Sequence, residues 1–251
     1  MLCDRLLQTS TPPSFHLTAR AIRLILDQNP ACMTQWNIEL TLSTVSAISA
    51  RPSTQALLSE SPSIIYPALC RLVEMVIRRH RKRLDGHFHI LLIALQSLLR
   101  LLLSQPDADA DSRQQQQQPH GSGGKQWKEK HAKLFARLLT LICEPTAASV
   151  TRSQQANTAA GAGPLESERD KAKRYAGQFM YLVLMQYVKL QLEYVVPLGV
   201  REALQPGVYA IMGITTPDVL RIMNDGLDPG GRVVFKEMYK MYQRFGKWSG
   251  V

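Results

Sequence analysis

Apolar residues recur every three or four positions along most of this chain, which is the period of an amphipathic α-helix. Together with helix-stopping Pro and Gly residues, this spacing predicts helices over 18–28, 35–49, 61–83, 87–103, 125–143 and 166–195. Pro12 and Pro13 indicate that residues 1–16 are irregular, without an early helix. No stretch shows the alternation typical of a β-strand. The pattern therefore predicts an all-α fold, an irregular helical array of the α-solenoid kind.

The C-terminal segment, residues 204–248, is predicted to close this array with two short helices and one longer helix. Pro206-Gly207 is expected to break the chain, and Thr216-Pro217 to restart it as a helix. Asp228-Pro229 has the chemistry of a helix start, because Asp accepts an unpaired backbone N–H and Pro needs no hydrogen bond there. The last helix carries an apolar stripe, interpreted as core with a partner groove as the alternative, at Val234, Phe235, Met238, Met241 and Phe245.

Two low-complexity segments interrupt the helical pattern. Residues 104–124 contain an acidic patch, five consecutive Gln residues and a Gly-Ser stretch, and residues 146–164 are rich in Ala, Ser, Thr and Gly. Such compositions bury too little apolar surface to offset the entropy of ordering, so both segments are predicted to be disordered loops. We therefore expect an N-terminal helical segment, 1–60, and a C-terminal helical domain, 61–251, that contains both loops.

Charge and cysteine content limit the classes of partner and compartment. The 251 residues carry a formal net charge of +10, which suits an acidic partner such as RNA, DNA or an anionic membrane. A solvated basic surface without such a partner is the alternative. The four cysteines form no CxxC pair, which favours a reducing compartment. The most apolar stretch, 90–103, is too short and too often interrupted to cross a membrane.

The strongest local concentration of charge lies at the end of the predicted third helix. Five cations occupy six consecutive positions there: Arg78, Arg79, Arg81, Lys82 and Arg83. This basic run is a candidate contact for RNA phosphates or a nuclear-import signal. A solvated helix end, in which cations complement the helix dipole, is the structural alternative.

Residue patterns that would indicate catalysis or ligand binding are absent from the sequence. No phosphate-binding loop follows a strand, and no motif places a nucleophile beside a base. His87 and His89 lie two positions apart, so a helix would point them to different faces rather than at one metal ion. Residues 224–228 lack the ligand spacing of a calcium loop. We therefore expect no catalytic residues, no metal, no cofactor and no small-molecule substrate.

Polar and aromatic residues near the C-terminus are candidates for partner docking, because Tyr and Trp are favoured at protein interfaces. The outward positions of the last helix and the final Arg-Phe-Gly-Lys-Trp sequence carry this expectation. The proposed docking edge comprises Tyr239, Arg244, Lys247 and Trp248.

The C-terminal residues resemble the C-terminal domain of the unhealthy ribosome biogenesis protein two family. The resemblance rests first on Pro206-Gly207-Val208-Tyr209, Leu227-Asp228, Gly231-Arg232, Phe235-Lys236, Tyr239, Tyr242 and the run 244–248. It also includes Ile65-Tyr66, Leu69-Cys70, His80-Arg81, the run 95–99 and Leu141-Ile142-Cys143-Glu144-Pro145. It spans about residues 60–250 without the two loops. Because members of that family are much longer, we expect this chain to correspond to their C-terminal part.

Membership in that family would imply a non-enzymatic scaffold of the nucleus and nucleolus that supports processing of the large-subunit ribosomal RNA precursor. The implied partners are pre-ribosomal assembly factors, among them a DEAD-box helicase, and the precursor RNA itself. The alternative function is a direct RNA-binding module that uses the basic run.

Overall fold

The computed structural model describes residues 1–104, 123–145 and 168–246, and every regular element in these ranges is helical. Twelve α-helices occur in them: α1 Leu2–Gln8, α2 Pro12–Gln28, α3 Gln35–Ser49, α4 Pro52–Glu60, α5 Pro62–His80, α6 Phe88–Leu103, α7 Gly123–Cys143, α8 Glu168–Gly177, α9 Tyr181–Glu193, α10 Leu198–Ile214, α11 Pro217–Asp225 and α12 Pro229–Met241. Short 3₁₀ turns cover Pro30–Cys32 and Arg81–Leu84, and a π-helical turn covers Tyr242–Gly246.

The helices stack in two layers. In the first layer α1 contacts α3, α3 contacts α6, α6 contacts α9, and α9 contacts α12. In the second layer α2 contacts α5, α5 contacts α7, α7 contacts α10, and α10 contacts the π-helical turn. Cross-layer contacts, such as α3 with α5 and α6 with α7, bury the apolar faces between the layers. This arrangement confirms the predicted all-α array of the solenoid kind.

One hydrophobic core runs through the described part of both layers, from Leu6 near the N-terminus to Phe235 in α12. Residues on both sides of position 60 contribute to this core, because α2 and α3 pack on α5 and α6. The division of the chain at residue 60 stays a prediction. Among the described helices, none is both long and apolar enough to cross a membrane.

The structure corrects the expected irregular N-terminus. Residues 2–8 form α1, and α2 begins at Pro12, six residues before the predicted start. Pro12 occupies the first helical turn, where its missing N–H leaves no intrahelical bond unmade, so the proline starts this helix instead of preventing it. Pro52 starts α4 in the same way, and the sequence pattern missed that helix as well.

Three further expectations need correction. The predicted helix 166–195 is divided into α8 and α9 by a turn at 178–180. In the predicted helix 35–49, the hydrophobic pattern places Trp36 on the inward face, but the structure leaves this side chain 66% exposed. Gly123 and Gly124, predicted to lie in a loop, belong to α7. Apart from these glycines and Ser104, the predicted loops 104–124 and 146–164 lie outside the described residues.

The expected break at Pro206-Gly207 does not occur, because α10 continues through both residues. The glycine instead permits a close approach between α10 and α7. A Cβ atom added to Gly207 would lie 2.9 Å from Ala136 Cα and 3.0 Å from Leu139 Cβ. Contacts this short do not occur between real side chains, so the two helices pack together only while residue 207 has no side chain.

We predict that Gly207→Ala destabilises the protein by about 1–3 kcal/mol, because the added methyl group forces α7 and α10 apart. Gly213→Ala is the matched control in the same helix, since its nearest neighbouring atom is Tyr242 Oη at 3.4 Å. That control should be neutral or stabilising by up to about 1 kcal/mol. Urea unfolding of both variants measures the difference, and equal stabilities would refute the proposed close packing.

Candidate functional site

The five cations of the basic run, at and after the end of α5, differ in the partners that they contact. Arg78 Nε donates to Glu74 Oε1 at 2.8 Å within the same helix. Arg79 Nη2 lies 2.7 Å from Asp27 Oδ1 and so joins α5 to α2. Both guanidinium groups therefore have carboxylate partners inside the chain, and the second pair connects neighbouring helices of the second layer.

Arg81 closes the C-terminal end of α7. Its guanidinium donates to the carbonyl oxygen of Leu141 at 3.1 Å and to that of Ile142. These carbonyl groups lie in the last turn of the helix, where a cation complements both the unpaired acceptors and the helix dipole. Burial lowers the pKa of Arg81, opposed by Cys143 and Asp85, and the group keeps its charge because its usual value is so high.

His80, beside the run, is also part of the internal packing. It is buried, and its Nε2 donates to the carbonyl oxygen of Leu26 in α2 at 3.0 Å. Burial is the main cause that lowers its pKa, which favours a neutral imidazole. His80 thus fastens α5 to α2 close to the ion pair of Arg79.

Lys82 and Arg83 are exposed like Arg78 and Arg79, but neither forms an ion pair within the described residues. Lys82 borders a cavity of about 300 Å³ whose wall includes Arg81, Phe88 and Tyr175. The structure thus gives three of the five predicted cations a partner inside the fold. An RNA-contact or nuclear-import role for the run stays a prediction.

A large groove opens at the C-terminal end of the array, where α9, α10 and α12 meet. Its volume is about 800 Å³. The walls are mainly apolar, and charged side chains stand among them. The residues that define it are Tyr187, Val208, Val233, Met238, Met241 and Phe245.

The predicted apolar stripe of the last helix borders this groove. Its interpretation as core holds for Phe235, which belongs to the core against which Val234 and Met238 also pack, and needs correction for Met241 and Phe245. Phe235 is buried, but Met241 is 41% exposed and Phe245 is 55% exposed. Val234 and Met238 are half-buried. The reason is that α12 packs on α9 while only the π-helical turn reaches α10, which leaves the other face of α12 without a helix against it in the described structure.

The proposed docking edge is only partly within the described residues. Tyr239 is half-buried, with its ring 6.0 Å from that of Phe235 and 6.1 Å from that of Tyr242. Arg244 is exposed, and its guanidinium lies 5.9 Å from the ring of Phe245. Lys247 and Trp248 lie outside the described residues. A docking role for these four positions stays a prediction.

Sequence reasoning missed the α9 and α10 sides of the groove. Tyr187 and Val208 come from different helices about twenty residues apart, and each reads as an ordinary core position in its own helix. A hydrophobic period marks one face of one helix, so it cannot reveal a concave surface made by three helices. The signal in the sequence that pointed to this groove was the alternative interpretation of the apolar stripe as a partner groove.

Features considered as metal sites have structural roles. Within the described ranges, no three His, Cys, Asp or Glu side chains are arranged to hold a metal ion. His87 Nδ1 lies 2.7 Å from Glu39 Oε1 and connects the starts of α3 and α6. Asp228 caps α12 by accepting from the backbone N–H of Gly231 at 3.2 Å.

The structure is that of a helical-array protein. Its candidate functional features, within the described residues, are surface grooves and charged patches. Within that class, the chain belongs to the Urb2/Npa2 family, whose model matches residues 16–251. The resemblance found in the sequence is thereby confirmed, and the match extends to residues before position 60. This is a ribosome-biogenesis family and not a known enzyme family. No curated protein and no solved structure matches the chain.

We predict that Arg81→Gln lowers the free energy of unfolding by about 1.5–3 kcal/mol, because it removes charge-assisted hydrogen bonds to the last carbonyl groups of α7. Arg83→Gln is the control, since Arg83 is exposed, and should change stability by less than about 0.5 kcal/mol. Chemical denaturation compares the two variants. Equal stability losses would contradict a capping role that is specific to Arg81.

Proposed function

We propose that this chain is a non-enzymatic scaffold that binds other assembly factors during processing of the large-subunit ribosomal RNA precursor in the nucleolus. The family membership supplies the process, ribosome biogenesis. The observation that carries the scaffold role is the open apolar groove between α9, α10 and α12. A concave apolar surface bordered by polar groups is a common form of protein interaction site.

The proposed occupant is one amphipathic α-helix from a protein partner in the pre-ribosomal complex. Along the array, each second-layer helix packs on the previous one and against the first layer. Beside α12, the residues that the structure describes fill this position with no more than the five-residue π-helical turn Tyr242–Gly246. An incoming helix would therefore take the place of the next second-layer helix. Helix-in-groove binding is a general mode of peptide recognition.

The chemistry of the groove supports an amphipathic occupant. Val208, Val233 and Met241 offer apolar contacts, and the flexible thioether of Met adapts to varied partner side chains. Glu202 and Glu237 also border the groove, together with Arg201. A partner helix with apolar residues at positions i, i+3, i+4 and i+7, and with basic residues beside them, fits this surface.

The docking edge extends the same proposal beyond the groove. Arg244 is exposed next to Phe245, which itself borders the groove. We therefore propose that Tyr239, Arg244, Lys247 and Trp248 contact the same partner. A DEAD-box helicase of the assembly complex is among the proposed partners.

A direct RNA-binding role for the basic run is the competing proposal, and its support is weaker. Arg78, Arg79 and Arg81 already have partners inside the chain. Phosphate binding by these side chains would break ion pairs or remove the cap of α7. Lys82 and Arg83 remain available, which is a small number of contacts for affinity based on phosphate neutralisation.

The proposal predicts that the double variant Val233→Glu and Met241→Glu loses its partners, because carboxylates in the groove would be desolvated by an apolar helix. Both residues are exposed, so the fold should survive. The recovery of large-subunit assembly factors and precursor RNA with the tagged chain should fall at least about tenfold, equivalent to about 1.4 kcal/mol.

The matched control replaces two other exposed apolar residues, Ile93→Glu in α6 and Ile222→Glu in α11, which lie outside the groove. This control should retain its partners. Quantitative mass spectrometry and RNA blotting of the purified complexes provide the measurement. Retention of the assembly factors by the groove variant, or an equal loss in the control, would disprove the proposed docking site.

A further inference from the structure

A second groove, between α2 and α5 at the N-terminal part of the array, is bordered by cations. It has a volume of about 210 Å³ and is lined by His16, Ala19, Arg20, Arg23, Ala68 and Arg71. Every lining side chain that can carry a charge is basic. No carboxylate lies among them, and the three arginines form no ion pair with the residues that the structure describes. We call the surface formed by these six residues the arginine groove.

Three other grooves of the described structure contain acids beside their cations. The neighbouring groove between α5 and α7 contains Glu74 and Glu144 beside its arginines. The groove at the C-terminal end contains Glu202 and Glu237. Asp85 borders the cavity beside Lys82. In each of these three places an acid of the chain itself balances part of the basic charge. A further groove beside α12 also lacks an acid, but its cations are only Arg232 and Lys236, whereas the arginine groove brings together three arginines and a histidine.

Two packed helices supply the cations of the arginine groove. His16, Arg20 and Arg23 follow one another at spacings of four and three, which places them on one face of α2. Arg71 comes from α5 on the opposite wall. The small side chains of Ala19 and Ala68 are buried between the two helices and so leave space between the guanidinium groups.

Two contacts near the C-terminal ends of α2 and α5 join these helices to each other. Arg79 pairs with Asp27, and His80 donates to the carbonyl oxygen of Leu26. The two walls of the arginine groove are therefore joined at their C-terminal ends. A site on rigid helices keeps its charges in position before a ligand arrives, which reduces the entropy lost on binding.

Like charges that share a groove without a counterion repel one another, and an anionic ligand removes this repulsion. Guanidinium groups bind phosphate through two parallel N–H donors, a geometry that lysine does not offer. At about 210 Å³ the groove is too small to hold a helix, whose diameter is about 10 Å. It is large enough for phosphate groups that lie along its length.

We infer that the arginine groove binds the phosphodiester backbone of RNA, through Arg20, Arg23 and Arg71. The proposed path of the RNA backbone extends toward α7, because Arg71 also borders the next groove together with Arg137. This inference goes beyond the scaffold function and does not depend on the groove at the C-terminal end. It gives the chain an RNA contact at one end of the array and a protein contact at the other.

The test measures binding of the complete chain to an unstructured single-stranded RNA of about 16 nucleotides, a length in the range of single-strand binding sites. Affinity is determined at several salt concentrations. The triple variant Arg20→Gln, Arg23→Gln and Arg71→Gln should reduce the slope of log affinity against log salt by about 2, since each phosphate contact on a single strand contributes about 0.7. Its affinity at low salt should fall at least tenfold.

Two further variants make the result specific. The control Lys189→Gln, Arg221→Gln and Lys236→Gln removes three exposed positive charges from other parts of the chain, and it should keep most of the slope and affinity. The variant Arg20→Lys, Arg23→Lys and Arg71→Lys preserves charge but not the paired donors, so it should keep the slope and lose affinity. Thermal unfolding of all variants should give the same midpoint.

Three outcomes would overturn the inference. Equal losses in the Gln triple variant and in the control would show that RNA binding follows net charge alone. Unchanged binding in the Gln triple variant would exclude the arginine groove as the contact. Competition by an acidic peptide as effective as competition by RNA would assign the groove to a protein partner. None of these results would affect the test of the groove at the C-terminal end.

Discussion

The packing of α10 on α7 is the contact on which the rest of the structure depends. These two helices share the most extensive interface in the described structure, and it closes over Gly207, where a methyl group would overlap the backbone of Ala136. Through α7 the contact reaches α5 and the 3₁₀ turn that follows it, where Arg81 caps the end of α7. Through α10 it positions Val208 and Tyr209 in the wall of the C-terminal groove. Loosening this interface would therefore disturb both the array and its candidate docking surface.

The excess of positive charge is divided among several physical roles. Arg78 and Arg79 are paired with carboxylates, and Arg81 binds helix carbonyl groups. The contacts of Arg79 and Arg81 join neighbouring elements of the second layer, whereas that of Arg78 lies within α5. Arg20, Arg23 and Arg71 instead share a groove without an acid, which is the arrangement that suits an external phosphate. The local count of cations in the sequence therefore says less about ligand binding than the contacts of each cation do.

The fold class and several helix boundaries followed from the sequence because local chemistry determines them. Thr216 and Asp228 cap their helices with side-chain oxygens, and α3 spans the predicted residues 35–49. The errors have two causes. Tertiary packing explains the first, because Pro206 lies inside a helix that contacts with α7 hold in place. The second is local, because Pro12 takes the first helical turn and so starts α2 instead of preventing it.

The candidate sites were less predictable than the fold, because both grooves are formed by residues from separate helices. Met241 and Phe245 have the periodicity of core residues, and only the absence of a helix beside α12 in the described structure leaves them exposed. Arg71 is more than forty residues from Arg23, so nothing in the local sequence connects them. The basic run attracted attention as a continuous stretch, yet the fold uses most of it internally.

The central feature of this chain is a two-layer helical array in which the described residues leave the position beside α12 open. Determining the structure of this chain within purified large-subunit precursor particles tests it most directly. We expect that structure to show a helix of another protein between α10 and α12, in contact with Val233 and Met241. A groove that faces solvent in the assembled particle, or that is filled by residues of this same chain, would contradict the account.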